Sequence, residues 1–149
     1  MVIIGSDHRG FDLKNSLIDY FQKKDIMFKD IGVHNSEVSD YALIAFKVSR
    51  IVLDLCCFGV ICCGSGIGVS IASNKVKGIR ASLCTSVYHA RMARAHNDAN
   101  IICLGGRVTG SHEAIEIFKV FISTEFEKDR HQERIDRIKR FEENQSVDW

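Results

Sequence analysis

Cys63 closes the apolar run "GVICC", and glycines follow it at positions 64, 66 and 68. Glycine lets backbone N–H groups come close to an anion because no Cβ stands in the way. A thiol beside such bare backbone suits two linked tasks. As thiolate the sulfur takes a proton or attacks a carbon, and the N–H groups hold the oxygen on which charge then collects. A free thiol titrates near ~8.5, and N–H groups at a helix start favour its ionised form. The spacing is not that of the dinucleotide fingerprint, in which the last two glycines are three apart and an acid follows about 20 residues on. Nor does Gly-Lys-Ser/Thr follow, as a P-loop requires. From the residues alone, "CGSGIG" reads equally as an oxyanion or phosphate cradle and as a plain turn from strand into helix.

Other polar groups stand where chemistry is possible. "SDHRG" puts Asp7 and His8 at the tip of the first apolar run, where they could shuttle protons or bind a phosphate, or where Asp7 could simply cap a helix. "ARAHNDANII" places His96 and Asn97 where a helix gives way to the fifth run. Arg130 and Arg134 are four apart, on one face of a tail helix, a pairing that costs stability in isolation and that a phosphate dianion would reverse. Arg107 follows the fifth run directly, whereas His34, His89 and His112 have no polar constellation around them.

These groups need elements to hold them. Short apolar runs at 1–5, 26–32, 59–64, 79–84 and 100–106 mostly end at glycine and are too short for helices, so they are expected as strands. Strand alternation would then set Cys62 and Cys63 on opposite faces. Between the runs, Leu13, Leu17, Tyr20 and Phe21 repeat at helical spacing, as do Ala42, Ala45, Phe46, Ser49 and Val52, and again Ala114, Ile115, Phe118, Phe121 and Ile122. Alternating strands and helices predict an α/β fold, a Rossmann-like three-layer αβα sandwich with a five-stranded, mainly parallel sheet. In such sheets ligands bind beyond the carboxyl ends of the strands. An extending C-terminal helix at about 130–145 carries Ile135, Ile138 and Phe141 as a thin apolar stripe, which must lie on the parent domain or on a second subunit.

The whole chain bounds the reading. Its 149 residues suit one domain spanning 1–149, and 20 basic against 19 acidic side chains give no field that recommends nucleic acid or a membrane as partner. The first apolar run is too short for a signal peptide and no segment is long enough to span a bilayer, so a cytoplasmic protein is expected. Six cysteines, none in CxxC or zinc-ligand spacing with histidine, are then expected as free thiols without a metal.

Taken in order, "IGSDHRGFDLK", "SDYA", "ICCGSGIGVSIASNKVKGIRASLC", "ARAHNDANIICLGGRV" and "FEKDRHQERI" resemble the motifs of the ribose-5-phosphate isomerase B family over nearly the whole chain. The resemblance implies an aldose–ketose isomerase of the non-oxidative pentose phosphate pathway, interconverting the small-molecule sugar phosphates D-ribose 5-phosphate and D-ribulose 5-phosphate through an enediolate without metal, nucleotide or other cofactor. It puts the base at Cys63, the anion-stabilising loop at Gly64, Ser65, Gly66 and Gly68, and ring opening at His96 with Asn97. Substrate contacts fall on Asp7, His8 and Tyr41, and phosphate binding on Arg107, Arg130 and Arg134. It also implies a homodimer, with a tetramer as the alternative, whose sites lie at the subunit boundary, with Asp7, His8, Cys63 and Ser65 expected from one chain and His96, Asn97 and Arg107 from the other. Members that use a glutamate as base carry it where this chain has Val69 and Ser70, so the cysteine type is the consistent one. Two departures stand out: Ala42 where the family usually has proline, and Lys128 and Asp129 where it usually has glycines. The rivals are an isomerase of six-carbon phosphates, such as allose or galactose 6-phosphate, and a phosphosugar-binding or thiol-sensing module without catalysis.

Overall fold

The computed structural model describes residues 1–144. Strand β1 (Val2–Ser6) leads through helix α1 (Phe11–Lys23) to β2 (Phe28–Asp30), and α2 (Tyr41–Asp54) leads to β3 (Phe58–Cys63). Helix α3 (Ile67–Ser73), β4 (Ala81–Leu83), α4 (Val87–Asn97) and β5 (Ile101–Gly105) follow, and α5 (Ser111–Ser123) and α6 (Asp129–Asn144) complete the described chain. The five strands form one sheet in the order β2-β1-β3-β5-β4. Every pairing is parallel, more uniformly than expected.

β1 and β5 are buried throughout and β3 nearly so, because helices cover both faces of the sheet. β2 and β4 are partly exposed and shorter than their apolar runs, since an edge strand has a ladder on one side only. One core contains Leu13, Leu17 and Phe21 of α1, Ala90 and Ala93 of α4, and Ile117, Phe118 and Phe121 of α5. The other contains Ile44, Val48 and Val52 of α2 with Val69 and Ala72 of α3. These are the outer layers of the sandwich.

Two helix faces differ from the spacing argument. α2 buries Ile44, Ala45, Val48, Ser49 and Val52, while Phe46 is 38% exposed and Ala42 is only partly covered. Leu43 and Phe46 make this helix apolar on more than one side, so periodicity alone could not choose the face. In α5 it is Ile117 that is buried, with Ile115 partly covered and Ile122 exposed.

The tail helix returns onto its own domain. Ile135 is buried and Glu142 accepts the Gly78 N–H at 3.1 Å, whereas Ile138 and Phe141 are about half exposed. The apolar stripe therefore splits. Position 145, the expected end of this helix, lies outside the described residues. No helix among the described residues is long and apolar enough to cross a membrane.

Candidate active site

The sheet reverses its building direction between β1 and β3, and a cleft of about 340 Å³ opens beyond their carboxyl ends, lined by Asp7, Arg9, Tyr41, Cys63, Ser65 and Arg107 among others. Cys63 is the last residue of β3 and is 5% exposed. Its sulfur accepts the Gly66 N–H at 3.1 Å. Gly66 has φ +79°, and a methyl group there would lie 2.5 Å from Leu83 Cδ1, so both conformation and space demand glycine. At Gly68 a methyl would meet the Tyr41 ring at 2.8 Å. The bare loop thus lets the aromatic ring lie against it. Gly64 completes the loop, and the Ser65 hydroxyl accepts the Ile67 N–H at 3.3 Å.

Cys62 faces the opposite core, as alternation requires. Burial pushes the thiols of Cys62 and Cys103 far up, and that of Cys84 to about 11. Those three pack as small apolar groups. All six cysteines are free thiols.

Asp7 is not the cap of α1, whose N-cap is Gly10 without a side-chain cap hydrogen bond, because the turn places it three residues ahead. One carboxylate oxygen accepts the N–H groups of Arg9 and Gly10, each at 2.9 Å, which sets the turn into α1. The residue also lines the cleft. His8 is held by Ser39: its own N–H donates to the Ser39 hydroxyl at 3.1 Å, and the Ser39 N–H donates to Nδ1 at 3.3 Å. A neutral His8 therefore carries its proton on Nε2. Tyr41 opens α2, where Asp40 caps the helix by accepting the Ala42 N–H at 2.8 Å. That N–H is the group a proline at 42 would lack.

Two residues near this cleft were not singled out in the sequence. Arg9 packs its stem beside Gly64, as Arg107 also does. Neither guanidinium has a carboxylate partner among the described residues. Arg9 could have been found, since it follows Asp7 and His8 at the strand tip. Ser39 had no local signal, being 31 residues from His8.

The remaining candidates lie elsewhere. α4 runs back from the carboxyl edge of the sheet, so His96 and Asn97 sit near the start of β5, while Cys63 pairs with Gly105 at its end. Four strand steps of ~3.3 Å separate those levels by roughly 13 Å. Asn97 lines a second cleft, of about 330 Å³, with Asn74, Arg80, Ser82, Ile138 and Glu142. Arg80, also unforeseen, donates to the Asn97 carbonyl at 2.8 Å and to the Asp98 carboxylate at 2.9 Å, pinning the end of α4.

His96 stacks on His131 with ring centroids 4.1 Å apart and planes 10° apart. Burial first, then the charges of His96, Arg130 and Arg134, hold the His131 imidazole below its ordinary range, with Glu127 pulling the other way. Arg130 and Arg134 are exposed on the first turns of α6 and have no carboxylate partner among the described residues. Lys128 and Asp129, which stand where glycines were expected, have φ +55° and +40°. The glycine-type backbone is kept without the glycines. One chain thus carries two half-sets: Asp7, His8, Tyr41, Cys63, Gly64, Ser65, Gly66, Gly68 and Arg107 at the carboxyl edge, and His96, Asn97, Arg130 and Arg134 away from it. Arg107 was expected with His96 and Asn97, but it directly follows β5, whose end lies beside that of β3, so it lines the cleft of its own chain's Cys63.

Comparison with known proteins agrees with this fold. A family model described as Ribose/Galactose Isomerase matches residues 2–138. Ribose-5-phosphate isomerase B of Escherichia coli is 35% identical over 149 residues, covering 97% of this chain and 98% of its own. The solved structure of ribose-5-phosphate isomerase B from Clostridium thermocellum has a TM-score of 0.94 at 43% identity, covering 97% of this chain and 99% of its own. That of the Mycoplasma genitalium enzyme with bound ribulose-5-phosphate has a TM-score of 0.91 at 38% identity, covering 96% of each chain.

Proposed function

The chain belongs to the ribose/galactose isomerase family, and from that premise we propose that it interconverts D-ribose 5-phosphate and D-ribulose 5-phosphate, with Cys63 moving the proton. The observation that carries this reading is the Gly66 N–H held on the Cys63 sulfur at 3.1 Å, in a cleft flanked by Arg9 and Arg107, whose guanidiniums have no carboxylate partner among the described residues. The Cys63 thiolate takes the proton from C2 of the open aldose. The electron pair of the broken C–H bond forms the C1–C2 double bond, and the carbonyl oxygen becomes an oxyanion beside the N–H groups of the glycine loop. The hydroxyl proton on the C2 oxygen passes to the C1 oxyanion, and as the C2 oxygen becomes the carbonyl the Cys63 thiol gives its proton to C1 and is a thiolate again. No cofactor enters these steps. A thiol base requires a reducing compartment, which fits the cytoplasm.

The second half-set completes the site in a homodimer. His96 opens the sugar ring, with Asn97 beside it, and Arg130 and Arg134 hold the phosphate in the cleft of the facing subunit. What supports a shared site is the separation within one chain and the half-exposed Ile138 and Phe141, which leave the tail helix apolar surface to cover.

The test is a turnover assay with ribose 5-phosphate beside allose 6-phosphate and galactose 6-phosphate. Conversion of the pentose at the highest kcat/KM is the expected result. A hexose phosphate turned over faster would make the chain a six-carbon isomerase. Binding without turnover of any of the three would make it a non-catalytic phosphosugar module.

A further inference from the structure

His96, Glu127 and His131 bring two imidazole nitrogens and a carboxylate oxygen within 4.8 Å of one another. Glu127 Oε2 lies 3.6 Å from His96 Nε2 and 3.8 Å from His131 Nε2. Four-coordinate zinc with bonds of about 2.0–2.1 Å spaces its ligands at roughly 3.4 Å, so two of the three edges are nearly formed. A second observation points to a ligand. His131 is 5% exposed, and its Nε2 is buried with no hydrogen-bond partner. A buried polar atom left unpaired costs about 1–3 kcal/mol, so one that persists calls for an explanation such as an ion or an ordered water.

The backbone builds this cluster. The Glu127 N–H donates to the Ala95 carbonyl at 2.9 Å, tying the segment to the last turn of α4. Lys128 and Asp129 then turn the chain through the left-handed region, and His131, in the first turn of α6, comes to 3.8 Å from the Glu127 carboxylate. The two rings are stacked, and the Nε2 of each is the atom that lies near the carboxylate. His96 and Glu127 are 35% and 59% exposed in their side chains, so an ion can enter and the rings can splay onto it.

We propose that His96, Glu127 and His131 form a transition-metal site, suited to zinc by its two nitrogens and one carboxylate, and that its occupation silences the enzyme by taking the His96 lone pair. The cysteine spacing gave no sign of a metal because this site uses no cysteine and joins residues 35 positions apart. Arg130 and Arg134 on the neighbouring turn oppose a dication, which makes this an inhibitory site filled when zinc rises rather than a resident one. The ligand set stands by itself. Only the silencing rests on the role of His96 proposed above.

The experiment is equilibrium dialysis of the metal-free full chain against zinc, with cobalt(II) absorption as the spectroscopic readout. One equivalent per chain with a four-coordinate cobalt spectrum is expected, and at least tenfold weaker binding in His131→Gln and in Glu127→Gln. Glu127 is exposed, so that variant serves if His131→Gln fails to fold. Cys63→Ala should bind zinc as the wild type does. No zinc uptake, unchanged affinity in both ligand variants, or uptake lost only with Cys63 would overturn the site. In turnover assays zinc should inhibit the wild type, reversibly on chelation, and inhibit His131→Gln at least tenfold less. Binding at His131 with undiminished turnover would overturn the silencing and the ring-opening role of His96 together, while leaving the metal site standing.

Discussion

The Gly66 backbone N–H points at the Cys63 sulfur across 3.1 Å, at the one position where a strand end, a left-handed glycine and an open cleft coincide. Cys62, one residue earlier, has its sulfur in the opposite core. Cys63→Ala should therefore lower kcat by at least ~100-fold with the fold retained, because it removes the proton carrier and little volume. Cys62→Ala should cost about 1 kcal/mol in stability and leave kcat near wild type. Similar residual activity in the two folded variants would refute the assignment of the base.

The separation of Cys63 from His96 makes complementation a direct test of the shared site. Mixed dimers of Cys63→Ala and His96→Gln chains concentrate both lesions in one site and leave the other whole. With random mixing, half the dimers are mixed and each has one working site, so roughly a quarter of wild-type activity should return from two nearly dead parents. The chains are refolded together, exchange is confirmed with a tag on one, and turnover is measured. Confirmed mixed dimers without rescue would confine the site to one chain.

Lys128 and Asp129 occupy left-handed backbone that costs an ordinary L-residue about 1–2 kcal/mol, and aspartate less. Against the ~0.5–1 kcal/mol of chain entropy that glycine brings, Lys128→Gly should raise the unfolding free energy by about 0.5–1 kcal/mol, and Asp129→Gly by less. Urea unfolding measures both. A loss of stability in each would mean that the turn is not as described.

Lys14 is 1% exposed and donates to Asp30 at 2.6 Å and to the Val33 carbonyl at 2.7 Å, while Asp30 also accepts the Gly32 N–H. Lys14→Met keeps the length of the stem but strands a largely covered carboxylate, and should cost about 3 kcal/mol. Because the segment so anchored leads to Ser39 and Tyr41, KM for the sugar phosphate should rise as well. A stability loss under 1 kcal/mol would show that Asp30 is satisfied without the lysine.

Thiol labelling separates the six cysteines. Cys56 is exposed and should alkylate first in the native protein, with partly covered Cys57 slower. Cys62, Cys84 and Cys103, whose thiols burial pushes up, should stay unlabelled at pH 8 until the chain unfolds. Labelling of Cys63 should slow when ribose 5-phosphate is present. Mass spectrometry of the digested protein reads each site, and prompt native labelling of Cys103 would contradict the packing.

Local pattern in the sequence determined the parallel sheet, the end of β3 at Cys63 and the glycine loop after it. The reason is that strand alternation, helical spacing and glycine's lack of a Cβ act over a few residues. It also carried enough motif to reveal the family. What it could not contain is which end of the sheet each group reaches. His96 reads as one more loop histidine until α4 is seen to run back along the sheet, away from the level of Cys63. The buried face of α2 was undecidable for a similar reason, since Leu43 and Phe46 are as apolar as the residues that won, and only the sheet beneath selects among them. Ser39 on His8, Arg9 beside Arg107, and His131 flat on His96 are pairings between distant segments of chain. Their energies depend on positions that exist only once strands and helices have packed, so the tertiary structure alone decided them.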